Sequence, residues 1–330
     1  SINTKSNDIV IPEGVASKED VVNVLSSDLI KQSKNPSEEL KLTLKHLNSA
    51  KWSESFYAIE SVRRLAIFNK ELLLPHLQMI VAVTLQNSIN LRSAVAKNAI
   101  LALNDIFKSM KESILCQDDC QHINNFNNNN KDNESNVVSL MDSIVSTLIN
   151  RTVADKKFLR DNSNKALHTL VSTVPRKETL YALLKCANHK RPSARGRVSS
   201  FVEKCLNQMG KNEIQKMFSK EISMNNDFSI ENLHQLPLYN IMKELTKLYN
   251  GRVQESRKGA TGALKHIFAA VGNTKFQFIL SKLVHPTEGK RILGSMQRLA
   301  SKSNSSVSRR TNKSRKDGLS LKDKIKQRKK

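Results

Sequence analysis

The sequence predicts an all-α solenoid, and three observations predict it. Apolar residues recur at helical spacing from Pro36 to about Leu299. The interruptions are short and polar, and they divide the helices into consecutive pairs. The apolar stock is mainly Leu, Ile, Val and Ala, with 5% aromatics and only 10 Gly and 7 Pro in 330 residues. That composition suits packed helices and lacks the turn residues of an all-β fold.

Residues 1–35 are polar and weakly periodic, and are read as a flexible lead-in with a short helix near 18–30. Pro36-Ser37-Glu38-Glu39 is a helix start, with Ser37 as candidate N-cap and acids in the first turn. Six helix pairs follow: 38–47 with 53–68, 70–85 with 93–110, 137–149 with 158–171, 177–187 with 194–209, 231–249 with 256–271, and 274–284 with 287–300. Each hairpin buries one face against the next, which is the signature of about six HEAT-like hairpins. Their spacing exceeds the ~40–47 residues of regular arrays. Two insertions account for the excess, an Asn-rich segment at 124–136 and an extra stretch at 212–227. The expected division is a flexible segment 1–35, a helical domain 36–300 and a basic disordered tail 301–330.

Lys and Arg number 54 against 30 Asp and Glu, a formal charge of +24. The last thirty residues hold twelve Lys/Arg and two Asp/Glu, so the tail carries +10 and the body +14. A surface this basic calls for an acidic partner: nucleic acid, an anionic membrane or an acidic protein. No apolar run reaches membrane-spanning length, because the stretch 72–85 is short and broken by Pro75, His76 and Gln78. The four cysteines, Cys116, Cys120, Cys186 and Cys205, form no CxxC pair. Cys116, Cys120 and His122 lie close in sequence without a fourth ligand, so reduced thiols and no metal are expected. There is no P-loop, HExxH, GxSxG or nucleotide-binding glycine pattern. Neither an enzyme nor a cofactor is expected.

The charge gathers at the loops inside the hairpins. Arg92, Arg160, Arg195 and Arg257 each lie near the start of a second helix, where a cation opposes the helix dipole by ~0.3–1 kcal/mol. Repetition of that cost implies a use. With Lys51, Lys156, Lys157, Lys190, Arg191 and Arg252 they make one basic stripe along a single edge. Any one of these positions reads equally well as solvated charge; the row carries more weight than its members. Trp52, the only tryptophan, sits in the first loop among polar neighbours. Burial and an exposed anchor beside Lys51 are equal alternatives for it.

The fragments Trp52-Ser53-Glu54-Ser55-Phe56, Ile59-Glu60-Ser61-Val62-Arg63-Arg64-Leu65-Ala66, Leu91-Arg92-Ser93-Ala94-Val95, Asn104-Asp105-Ile106-Phe107 and Lys157-Phe158-Leu159-Arg160-Asp161 together resemble a TOG domain, nearest to the crescerin (TOG-array regulator) and CLASP families. The resemblance spans about 36–300. It implies a flat six-repeat paddle that binds αβ-tubulin or the microtubule lattice through its intra-repeat loops. It also implies a monomer in the cytoplasm and cytoskeleton, with cilium, axoneme or basal body as alternatives. Carried over loop by loop, the tubulin contacts would be Lys51, Trp52, Leu91, Arg92, Lys156, Lys157, Arg160, Lys190, Arg191, Arg195, Arg252 and Arg257. An α-solenoid scaffold or RNA-binding protein using the same edge and tail is the alternative. Few aromatics and irregular repeats weigh against base reading.

Overall fold

The computed structural model describes residues 23–111, 139–174, 177–219 and 236–316, with side chains as far as Ser301. Among these residues there is no strand, and the helices form six antiparallel hairpins. The first helices are α1 (Pro36–His46), α3 (Lys70–Leu73) with α4 (Leu77–Asn87), α6 (Leu140–Arg151), α8 (Lys177–Lys185), α10 (Pro237–Tyr249) and α12 (Asn273–Leu283). Their partners are α2 (Trp52–Phe68), α5 (Ser93–Met110), α7 (Lys157–Thr173), α9 (Pro192–Met217), α11 (Gln254–Val271) and α13 (Pro286–Lys316). The partners pack on one another in one layer, the first helices form the other, and the core lies between them. An all-α solenoid of HEAT-like hairpins is what the chain forms.

Helix α2 shows how sequence makes this. Phe56, Ile59, Val62, Leu65 and Ala66 recur every three or four residues and are all buried. Each large member contributes roughly 1.5–3 kcal/mol through burial. The expected single helix 70–85 is divided by a 3-10 turn at Leu74–His76. Pro75 lies in that turn, and its ring and missing N–H do not fit a helix interior.

Three expected boundaries differ. Residues 23–35 are fastened to the body rather than free. Arg63, fully buried, donates Nε–H to Asp105 Oδ2 at 2.9 Å, and Nη1 donates to the Leu25 carbonyl at 2.8 Å and Asn98 Oδ1 at 3.1 Å. Ser27 Oγ donates to Asp105 Oδ1 at 2.7 Å, and Arg64 donates to the Lys31 carbonyl at 3.0 Å. Of the expected helix near 18–30, residues 18–22 lie outside the described residues, and the remainder holds a 3-10 turn at Ser27–Leu29. The stretch from 212 is not all insertion, because α9 turns at Gly210 (φ 71°) and runs on, burying Ile214 and Phe218. Finally, α13 continues past Ala300 to Lys316, where a disordered tail was expected. Residues 1–22, 124–136 and 317–330, with Cys116, Cys120 and His122, lie outside the described residues.

The tightest seam joins α9 and α11. A Cβ on Gly259 would sit 2.6 Å from the Ser199 backbone carbon, so only glycine permits this approach. Ser199 Oγ donates to the Ser256 carbonyl at 2.6 Å across the same seam.

Candidate functional site

Five hairpin loops, ending at Lys51, Arg92, Lys156, Arg191 and Val253, share one geometry. Each of these residues is the N-cap of a second helix, with φ between −82° and −73° and ψ between 111° and 125°. None makes a side-chain cap to its helix. Four of the five are basic and exposed, where Ser, Asp or Asn is usual. The loop edge therefore presents cations together with the positive ends of five helix dipoles.

Neighbouring loops are stitched together. The Arg92 guanidinium stacks over the Trp52 ring at 4.8 Å from its centroid, joining the first and second loops. Lys156 donates to Ser93 Oγ, joining the second and third. Arg191 Nη1 donates to the Val153 carbonyl at 2.8 Å, and His189 Nε2 lies 2.9 Å from Asn150 Oδ1, joining the third and fourth. Asn188 Nδ2 donates to Glu244 at 2.9 Å in the fifth hairpin. Arg291 donates to Asn250 Oδ1 at 3.0 Å and covers the Tyr249 ring at 5.3 Å. The edge is thus continuous from Lys51 to Arg291.

The four arginines that the sequence aligns are not equivalent. Arg92 is an N-cap, whereas Arg160, Arg195 and Arg257 lie four residues inside their helices. Each of those three turns its Nη1 back onto its own loop. Arg160 donates to the Ala154 and Asp155 carbonyls at 2.8 and 2.6 Å. Arg195 donates to the His189 and Lys190 carbonyls at 2.8 and 3.4 Å. Arg257 donates to the Gly251 and Arg252 carbonyls at 3.0 and 2.8 Å. The same two positions, five and six residues back, accept in all three cases. These contacts offset the cost of a cation near a helix start and fix the loop. In the first loop Ser55 takes this place, donating to the Ser49 carbonyl at 2.9 Å.

Exposure sorts the rest. Leu91 is 100% exposed, and Arg92, Lys51, Lys156, Lys157, Lys190, Arg191 and Arg252 are exposed beside it along the edge. Trp52 is half-buried against the core, with Arg92 as its cover. The sequence offered burial or exposure for it; the structure gives both in part. Glu54 is the hub of the first loop. The Ser49 hydroxyl at 2.6 Å, then Lys51 at 3.1 Å and His46 at 3.2 Å, hold its carboxyl down at about 2. Burial pushes the Cys205 thiol up to about 12, as suits an inert core residue. Among the described residues no cluster of His, Cys, Asp and Glu could hold a metal. Sequence reading missed Ser93, Tyr249, Asn250 and Arg291. Arg291 alone carried a signal, since it lies near the start of a second helix.

No family model matches the chain. The sequence is similar to TOG array regulator of axonemal microtubules protein 1 of Homo sapiens, 25% identical over 239 residues, which is 72% of this chain and 12% of that protein. The Mus musculus protein of the same name is 27% identical over 139 residues, covering 42% of this chain and 6% of its own length. Among solved structures, the TOG domain of C. elegans Zyg9 superposes with a TM-score of 0.52 at 12% identity, over 84% of this chain and 91% of that one. The chain has the fold of a TOG domain. On this fold the stitched loops are the intra-repeat loops of one edge, and the chain spans 12% of the human relative's length.

Proposed function

We propose that this TOG-like domain is a microtubule-binding module rather than an enzyme, and that it meets tubulin with the loop edge. Its resemblance to regulators of axonemal microtubules supports the partner. The observation that carries the site is the fully exposed Leu91 next to Arg92, itself stacked on Trp52, at one end of a continuous basic row. An exposed apolar side chain beside a rigid aromatic–guanidinium pair is the makeup of an interface anchor. The row behind it, Lys156, Lys157, Lys190, Arg191 and Arg252, steers an acidic partner toward that anchor. Arg160, Arg195 and Arg257 act through the loop shape they hold. The basic residues from Ser301 onward add a second, salt-sensitive contact. A cytoskeletal location, on ciliary or cytoplasmic microtubules, follows from the same reading.

Co-pelleting of the full chain with microtubules, run beside size-exclusion chromatography with free tubulin, tests the proposal. Co-elution or co-pelleting that weakens as salt rises is the expected result. A chain that stays in the supernatant and elutes apart from tubulin at low salt overturns it.

A further inference from the structure

The domain carries a second basic feature, on the outer face of the layer formed by the second helices, beginning about one turn in from the loop edge at Asp161 and Arg197. There α7 and α9 meet over a much shorter seam than α5 with α7 or α9 with α11. An open groove of 660 Å³ runs between them. One wall is a single stripe of α7, Asp161, Asn164, Lys165, His168 and Thr169, at spacings of three and four residues. The facing wall is the matching stripe of α9, Arg197, Ser200, Phe201 and Lys204. Lys165, Arg197 and Lys204 supply three permanent cations and Asp161 one carboxylate. Arg197 also donates to Glu255 of α11 at 3.0 Å, so Lys165 and Lys204, one on each wall, are the groove cations without an ion pair among the described residues. Glu203 is next to Lys204 in sequence, but its side chain packs against Gly262 of α11, outside the groove.

We infer that this groove binds an acidic peptide segment in extended form, on a surface separate from the proposed tubulin edge. Its cations stand on both walls, so carboxylates along one strand could be held from either side. Asn164 donates to the Arg160 carbonyl at 2.9 Å and Thr169 to Asn104 Oδ1 at 2.7 Å, so their oxygens, with the Ser200 hydroxyl on the facing wall, are the groups suited to accept from a peptide backbone. A single-stranded nucleic acid fits less well, because it needs exposed rings for its bases. Phe201 is 5% exposed and covered by the Lys204 ammonium at 5.5 Å, which leaves His168 as the single exposed ring among the lining residues.

The test is fluorescence anisotropy of a labelled deca-glutamate peptide titrated with the full chain at low salt. Lys165→Glu with Lys204→Glu is compared with Lys70→Glu with Lys108→Glu. Lys70 and Lys108 are exposed at the edge opposite the loops, so the two variants have the same net charge. A localised site predicts a loss of affinity of about fivefold or more in the groove variant and less than about twofold in the control. Equal losses mean delocalised attraction and overturn the inference. A groove-dependent loss for a labelled oligo-uridine, with none for deca-glutamate, also overturns it. Circular dichroism checks folding, and Lys165→Gln with Lys204→Gln replaces the reversal if that variant unfolds.

Discussion

The first two hairpins and the next three build one edge by different means. In the first two, the loops carry no arginine clamp. Their geometry rests on the Glu54 hub, on the Trp52–Arg92 stack and, beneath them, on the buried Arg63–Asp105 pair. In the next three, Arg160, Arg195 and Arg257 each grip two carbonyls of their own loop. The difference separates charges that look alike in sequence. In the first region the exposed arginine is free to meet a partner face. In the later region the arginines inside the helices are used internally, and the exposed cations are their neighbours Lys157, Lys190 and Arg252.

The largest effect expected lies beneath the first region. Asp105→Ala leaves the Arg63 guanidinium buried without its counter-charge and should cost about 3–5 kcal/mol. Urea denaturation measures this, and a loss under about 1 kcal/mol would remove the network from the account. The later region has its own weak point. Gly259→Ala forces the Ser199 backbone away from α11 and should cost about 1–3 kcal/mol, read from the same denaturation curve. Tolerance of alanine there would show that α9 and α11 can part freely.

Within the edge the contrast sharpens. Arg195→Ala removes a clamp and should cost about 1 kcal/mol of stability. Lys190→Ala should change stability by no more than ~0.5 kcal/mol but slow association with tubulin, as stopped-flow measurement would show. If the two substitutions behave alike in both assays, the division between clamp and contact is wrong. The smallest effect is acid-dependent. Glu54 is depressed from an ordinary 4.5 to about 2, so its contribution to folding is complete above that ordinary range. It is lost as pH falls through the window between those values. The stability gap between the wild type and Glu54→Gln should therefore narrow as pH drops from 4.5 toward 2.

Much of the fold was legible in the chain. The apolar spacing gave the six hairpins, and α5 begins and ends where the pattern says. Pro75 is plain in the sequence, but whether a proline bends, ends or divides a helix depends on packing around it. The run of α9 beyond Gly210 was missed because a glycine followed by polar residues reads as a stop, while Ile214 and Phe218 find cover only in three dimensions. The loop edge proposed as the site was legible as a row of charges and not in its parts. An arginine four residues inside a helix and one at its N-cap differ by a single turn. Only the loop's path shows that the former reaches carbonyls five and six residues back. The stack of Arg92 on Trp52 joins residues 40 apart and left no mark in either local sequence.

The central claim is that the exposed end of the edge is a contact surface and not a structural one. Leu91 tests it most directly, because a side chain that is 100% exposed cannot support the fold. The measurement is the tubulin affinity of Leu91→Glu with Arg92→Glu, taken beside its thermal midpoint. The account predicts a loss of about tenfold or more in affinity, with stability changed by no more than ~0.5–1 kcal/mol once the Trp52 stack is gone. A variant that binds tubulin as tightly as the wild type while melting at the same temperature would contradict it.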